Sequence, residues 1–197
     1  MNIVGILLAA GQGLRYDAGG QHCKLLARRS SGPAAGQVIA VAAAHALRAV
    51  VAPVIAVVQQ PTPGPSESSK DASSDEAQST LRQLLAQAGC QVLPWSADDG
   101  SVPGSGASIA CAVRSTRAAA GWLIALADMP DIRATTIAAL RDALAGGAEC
   151  VAPYYRAQLA ALRGDSGART VLEGRALLRI DVDDPGIVFD VDTPAER

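Results

Sequence analysis

Four short stretches of the chain carry residue types suited to handling a polyphosphate. The first is LLAAGQGLR at positions 7–15, followed by Lys24 in HCKLL. Glycine lacks a Cβ, so Gly11 and Gly13 let the backbone turn tightly and bring its N–H groups close to an anion, while Arg15 and Lys24 add positive charge. The pattern reads as a triphosphate cradle, although on its own it also fits an ordinary Gly-rich strand-to-helix turn with a solvated Arg and Lys. Two better-known phosphate loops are excluded. A GxGxxG dinucleotide fingerprint needs a glycine where Tyr16 stands, and an acid ending the second strand where the chain has Gln59 and Gln60. That disfavours a NAD-dependent oxidoreductase. A P-loop needs Gly immediately before Lys and Ser or Thr after it, whereas Lys24 lies between Cys23 and Leu25.

The second stretch is WLIALADMPD, positions 122–131, an apolar strand that delivers Asp128 at its carboxyl end, where open α/β sheets place ligands. Mg²⁺ typically takes one or two carboxylates plus phosphate oxygens, so Asp128 is a candidate metal ligand. Asp131 reads instead as a cap for the helix starting near Thr135. The third stretch, VPGSGASIACAV at 102–113, is a Gly-Ser loop feeding a helix N-terminus. Free amides of Gly106, Ala107 and Ser108, with the helix dipole, would receive a phosphate or a base edge; the alternative is that Ser108 is only the N-cap. The fourth is FDVDTPAER, 189–197, where Asp190 and Asp192 alternate along a strand and face one side while Val191 faces the other. Either could be a second metal carboxylate, or both could be surface acids on an edge strand. His45 lies in an Ala-rich stretch and reads as structural, His22 lies on the phosphate loop, and no Ser, His and Asp set suggests a hydrolase triad.

These residues need elements to position them. Apolar runs of strand length recur at 2–8, 54–58, 91–94, 122–127 and 149–153, bounded by Gly, Pro and Asp. Ala-rich stretches of helical length lie between them at 36–49, 76–88, 107–118 and 135–145. Alternating strand and helix predicts an α/β fold, a parallel sheet wrapped by helices on both faces, in a single domain spanning 1–197. Residues 59–79, rich in Pro and Ser and nearly free of apolar side chains, cannot repay their ordering entropy by burial and read as a mobile loop insertion. The last quarter is less regular: helix is expected at 166–172, then strands at 177–181 and 187–191 that could form a hairpin across the main sheet.

Composition narrows the partners. The chain has 197 residues, 49% hydrophobic content, 18% charged residues and a formal net charge of −2, so no broad basic surface awaits a nucleic acid. Cys23, Cys90, Cys111 and Cys150 are far apart without zinc-ligand spacing and read as reduced, mostly buried thiols, as suits the cytosol. Residues 1–10 are apolar but lack a basic n-region and are too short for a signal peptide. In the long apolar stretch 38–58, His45, Arg48 and Pro53 argue for a helix, a turn and a strand over a membrane span. A cytoplasmic protein without a membrane segment is expected.

In their order along the chain, LLAAGQGLR with KLL, then GSGASIA, ADMP and DVDTPAE resemble the MobA-like NTP transferases, from Ile3 to Glu196, and look most like the molybdenum cofactor cytidylyltransferases among them. The resemblance implies a three-layer α/β/α nucleotidyltransferase fold with a mostly parallel sheet. It implies that the loop with Leu8, Ala9, Ala10, Gly11, Gly13 and Arg15 holds the nucleotide, that Lys24 and Arg15 neutralise phosphates, and that Asp128 binds Mg²⁺ with Asp192 or Asp190 completing the site. The implied substrates are CTP, or GTP in a related branch, and a phosphorylated acceptor such as molybdopterin, with a molybdoenzyme or its chaperone as a further partner. The sequence departs from the family pattern in three places. The link from Tyr16 to Cys23 is long, the Pro and Ser segment after Val58 is an addition, and the Gly-His-Pro stretch expected after Tyr155 on the acceptor side is missing.

Overall fold

Runs of Val, Ile and Leu form β1 (Ile3–Ala9) and β2 (Val54–Gln59), both buried along almost their whole length. That burial is what a strand between two helical layers requires. The computed structural model describes residues 1–11, 16–17, 22–60, 69–96, 105–154 and 176–197. Beside the two central strands lie β3 (Gln91–Trp95) and β4 (Gly121–Leu126), in the order β3-β2-β1-β4 with every neighbouring pair parallel. The connecting helices are α1 (Ile39–Arg48), α2 (Ser69–Gln87) and α3 (Ser105–Ser115), and α4 (Ala134–Ala145) follows β4.

Side chains of a strand alternate between faces, and this divides the core in two. Ile3, Leu7 and Ala9 join Val54, Ala56, Val58 and Leu123 against Ile39, Ala43 and Leu47 of α1, Leu81 and Leu85 of α2 and Ile137 of α4. Ile6 and Val57 point the other way, to Ala112 of α3, with Leu8, Leu93, Trp95 and Trp122 around them. The α/β fold expected from the sequence is therefore present, with helices on both faces of a parallel sheet. Gly5 allows α1 to approach: a Cβ there would lie 2.8 Å from Val54 Cγ2 and 3.2 Å from Leu47 Cδ2.

Several expected boundaries are corrected. Residues 69–79 belong to α2, so the polar segment is not a loop throughout, and its part at 61–68 lies outside the described residues. Polar residues can continue a helix on its solvent side when the next turns supply the anchors, here the fully buried Leu81 and Leu85. The strand at 177–181 exists as β6 (Leu177–Asp181) and pairs in parallel with β5 (Cys150–Tyr154), but no strand forms at 187–191 to make a hairpin with it. Residues Pro185–Val188 form a 3-10 turn in place of a strand. Asp184 starts that turn by accepting a hydrogen bond from the Gly186 N–H, with Pro185 at the first helical position, as is usual at helix starts. The expected helix at 166–172 lies outside the described residues. All four cysteines are free, but only Cys90 is buried and the others are half-buried. No helix among the described residues is long and apolar enough to cross a membrane.

Leu85 is fully buried between α2 and the sheet. Leu85→Ala is expected to lower unfolding stability by about 2–5 kcal/mol through lost burial and the cavity left behind, as read from the midpoint of urea denaturation.

Candidate active site

The strand order reverses beside β1, since the chain crosses from β1 to β2 on one side and returns as β4 on the other. At such a reversal the loops leaving the carboxyl ends of the strands diverge and open a crevice. Leu8 lies opposite Leu126, and the Ala127 N–H bonds the Leu8 carbonyl at 3.0 Å, so β1 and β4 end side by side. The chain leaves β1 through Ala10 and Gly11, and leaves β4 through Asp128.

Lys24 reaches this edge from a 3-10 turn (Lys24–Leu26) anchored by the buried Leu25. Its Nζ donates to Asp128 Oδ2 at 2.7 Å and to Asp192 Oδ1 at 3.4 Å. The Lys24 side chain is only 11% exposed, against 21% for Asp128 and 29% for Asp192, so these charges are partly withdrawn from water and interact strongly. Burial disfavours the Lys24 ammonium, but hydrogen bonds and charge from Asp128 and Asp192 outweigh it and hold the group above the ordinary lysine value. Asp190 is the counterpart. Burial first, then repulsion from Asp192 and Asp128, pushes its carboxyl up, only partly offset by its own backbone and by Lys24.

The C-terminal segment is seated by its own bonds. Val191 is fully buried and its N–H donates to the Asp128 carbonyl at 3.0 Å. Residues 190–192 are not a strand, yet the expected alternation survives: Val191 enters the core while Asp192 meets Lys24. Thr193 and Glu196 form a capping box, in which Glu196 Oε2 accepts from the Asp192 N–H at 3.0 Å and the Thr193 N–H at 2.7 Å. These bonds hold the Glu196 carboxyl below the ordinary range, the Thr193 hydroxyl and amide contributing most.

Of the residues singled out from the sequence, the structure brings Lys24, Asp128 and Asp192 together and sets Asp190 within their field. Ala9 is buried, Leu8 and Ala10 are half-buried, and Gly11 is exposed with no atom within 4 Å of where a Cβ would stand. Gly13 and Arg15 lie outside the described residues. Gly106 is exposed in the first turn of α3, which starts after the carboxyl end of β3. Ser108 is buried inside that helix and is not its N-cap, because α3 begins at Ser105. His22 is exposed and tied to Asp17, its Nδ1 3.0 Å from Asp17 Oδ2, and His45 is exposed on α1.

Asp131 does not cap α4. Its Oδ2 accepts from Arg29 Nη2 at 2.7 Å and Arg29 Nε at 3.0 Å, and its Oδ1 accepts from the Ala34 N–H at 3.2 Å. The start of α4 is served by Asp184, whose Oδ2 accepts from the Arg133 N–H at 2.9 Å and the Thr136 hydroxyl at 2.6 Å. Sequence reasoning missed Arg29, Asp184 and Glu196. For Glu196 a signal was present, since Thr-Pro-Ala-Glu is the spacing of a capping box. Arg29, in a basic pair before a Ser-Ser-Gly-Pro turn, looks like any solvated arginine.

Among the described residues no three His, Cys, Asp or Glu side chains gather as a ready-made metal site. Asp128 and Asp192 are nevertheless two hard oxygen donors already facing one shared cation, and their chemistry fits Mg²⁺ held jointly with a triphosphate.

The profile of the MobA-like NTP transferase domain matches residues 5–180. The chain belongs to this family. A MobA-like domain catalyses nucleotidyl transfer. Rv0371c from Mycobacterium tuberculosis H37Rv, a solved structure, is similar at 21% identity with a TM-score of 0.66, covering 100% of this chain and 95% of that chain; the likeness is one of fold. Comparison with curated proteins finds no match.

In this MobA-like domain the raised Asp190 carboxyl predicts a pH effect. The folded state holds the Asp190 proton to higher pH than the unfolded chain does, so stability falls as pH rises from the ordinary carboxylate value of 3.8 through the raised one. Asp190→Asn should remove that loss. The gap in urea midpoint between variant and wild type is expected to widen in favour of the variant from pH 4 to pH 7, and a constant gap would contradict it.

Proposed function

We propose that the chain transfers the cytidylyl group of CTP to the terminal phosphate of molybdopterin, in a Mg²⁺-dependent reaction that releases pyrophosphate. The observation that carries the reading is Lys24 Nζ shared between Asp128 and Asp192 at the strand-order reversal, in a member of the MobA-like family. The cytidylyl branch is favoured by the sequence LLAAGQG at the end of β1 and ADMP after β4.

An oxygen of the acceptor phosphate forms a bond to the α-phosphorus of CTP as the bond from that phosphorus to the pyrophosphate oxygen breaks. Such an in-line displacement asks mainly for positioning and for positive charge where negative charge accumulates. Asp128 and Asp192 would hold Mg²⁺, which supplies charge neutralisation on the triphosphate. Lys24 would turn its ammonium from the carboxylates to the phosphates, whose negative charge would replace that of Asp128 and Asp192 in holding its proton. Arg15 would add a second positive charge, and the backbone of the Gly11 and Gly13 loop and of the first turn of α3 at Gly106 would offer N–H groups to the nucleotide.

A second reading, nucleotidyl transfer from GTP or another triphosphate to a different phosphorylated acceptor, is favoured by one observation: the Gly-His-Pro stretch is missing after Tyr155. Pyrophosphate release from labelled CTP and GTP, with and without molybdopterin and Mg²⁺, separates the two. Release from CTP that needs both acceptor and metal is expected. Release from GTP alone selects the second reading, and triphosphate binding without release points to an accessory protein. Lys24→Ala should lower turnover by about 10- to 1000-fold, the scale of losing one transition-state donor. A wild-type rate in that variant would remove Lys24 from the catalytic machinery.

A further inference from the structure

We propose that Arg29 is a positioning residue for the reaction, a buried clamp that sets the separation of Asp128 and Asp192 through which Lys24 acts. Among the described residues Arg29 bonds no side chain of the Lys24, Asp128 and Asp192 cluster, and it binds the flank of each segment that carries one. It follows Lys24 by five positions, and its own backbone is fixed by the bonds from Arg29 N–H to Gln37 carbonyl at 2.9 Å and from Gly36 N–H to Arg29 carbonyl at 2.7 Å. Its Nε and Nη2 hold Asp131, three residues beyond Asp128, at 3.0 and 2.7 Å. Its Nη1 donates to the Glu196 carbonyl at 2.6 Å, and its guanidinium lies 4.3 Å from the ring centroid of Phe189. Phe189 and Glu196 bracket Asp192. One guanidinium thus ties together the chain after β1, the turn after β4 and the C-terminal segment.

The chemistry of the side chain makes this role specific. A guanidinium offers donors in a planar fork and a flat face for an aromatic ring, so it satisfies a carboxylate, a carbonyl and a ring at once. A lysine would keep the charge but could not bond Asp131 and the Glu196 carbonyl in the same geometry. Asp131 is bound equally closely by its surroundings: Gly32 approaches its carboxylate, where a Cβ would come within 2.9 Å of Oδ2, and Gly186 packs on its backbone carbonyl with no room for a Cβ. Losing the clamp would free the two carboxylate-bearing segments to shift relative to one another, and a misplacement of about 1 Å at a reacting centre costs on the order of 100-fold in rate.

The kinetic consequence rests on the proposed nucleotidyl transfer, whereas the structural consequence does not, so the test has two arms. Amide hydrogen exchange of Val191, whose N–H bonds the Asp128 carbonyl, reports seating of the C-terminal segment, and Val57 in β2 reports the core. Arg29→Lys should raise the ratio of Val191 to Val57 exchange by roughly 10-fold or more, a local opening. Leu85→Ala, which loosens the core without removing any bond of the clamp, should leave that ratio at or below its wild-type value. In the second arm Arg29→Lys should lower kcat about 10- to 100-fold while KM for the triphosphate moves less than about 3-fold, a loss confined to the transition state. A smaller rise in the exchange ratio, an unchanged kcat, or an equal loss of kcat in Leu85→Ala overturns the proposal. If the wild-type chain releases no pyrophosphate from any triphosphate, the functional reading fails and the exchange ratio alone decides the clamp. Should Arg29→Lys not fold, Asp131→Asn, which keeps the acceptor shape but not the charge, is read by the same criteria.

Discussion

The buried ion pair between Arg29 and Asp131 is the constraint on which the active edge of this domain depends. Both side chains are less than 10% exposed, at 7% and 8%, so neither charge can be left without a partner. Removing one member of such a pair strands the other and costs about 3–5 kcal/mol. The pair therefore joins the turn after β4 to the loop before α1. Because Glu196 and Phe189 complete the shell of the same guanidinium, the C-terminal segment is recruited to that junction as well.

A second buried acid secures the other end of that segment. Asp184 is 1% exposed and is satisfied by the Arg133 N–H, the Thr136 hydroxyl and the Gly186 N–H, which tie it to the start of α4. With Arg29 beyond it and Asp184 before it, residues 185–196 are held at both ends, and the fully buried Val191 fixes the middle. An extended chain alternates its side chains, so once Val191 is in the core Asp190 and Asp192 are turned outward. Asp192 is brought to Lys24 in this way without belonging to any strand.

The sheet was legible in the sequence because its driving force is local in sequence. Short Val, Ile and Leu runs separated by Ala-rich stretches leave few alternatives to parallel strands with helical crossovers, and β1, β2 and β4 stand within a residue or two of where the apolar runs put them. Lys24 and Asp128 were legible because each follows a strand end marked by Gly or Met-Pro. The partnerships of the buried polar groups were not legible. Asp131 reads as a cap because it stands shortly before a helix, and only a contact with Arg29, 102 positions away, reveals its role. The hairpin expected at the C-terminus failed for a similar reason. Apolar alternation at 187–191 resembles a strand, but Asp184, Pro185 and Gly186 form a turn stabilised by contacts to α4 that the local pattern does not contain.

The electrostatics of the cluster bear on what it can bind. Within the described residues three carboxylates, Asp128, Asp190 and Asp192, stand against the one ammonium of Lys24, and repulsion from Asp192 and Asp128 adds to burial, the larger cause, in raising the Asp190 carboxyl. A triphosphate approaching this set alone would be repelled, since like charges at close range in a partly desolvated crevice interact strongly. The cluster attracts cations, and the place between Asp128 and Asp192 is filled by an ammonium that a four-carbon stem can swing away. A polyphosphate is accommodated only if it arrives with its own positive charge, or meets further basic groups from the loop after β1. In the proposed reaction a divalent ion would bring that charge, and Lys24 would pass from the carboxylates to the phosphates.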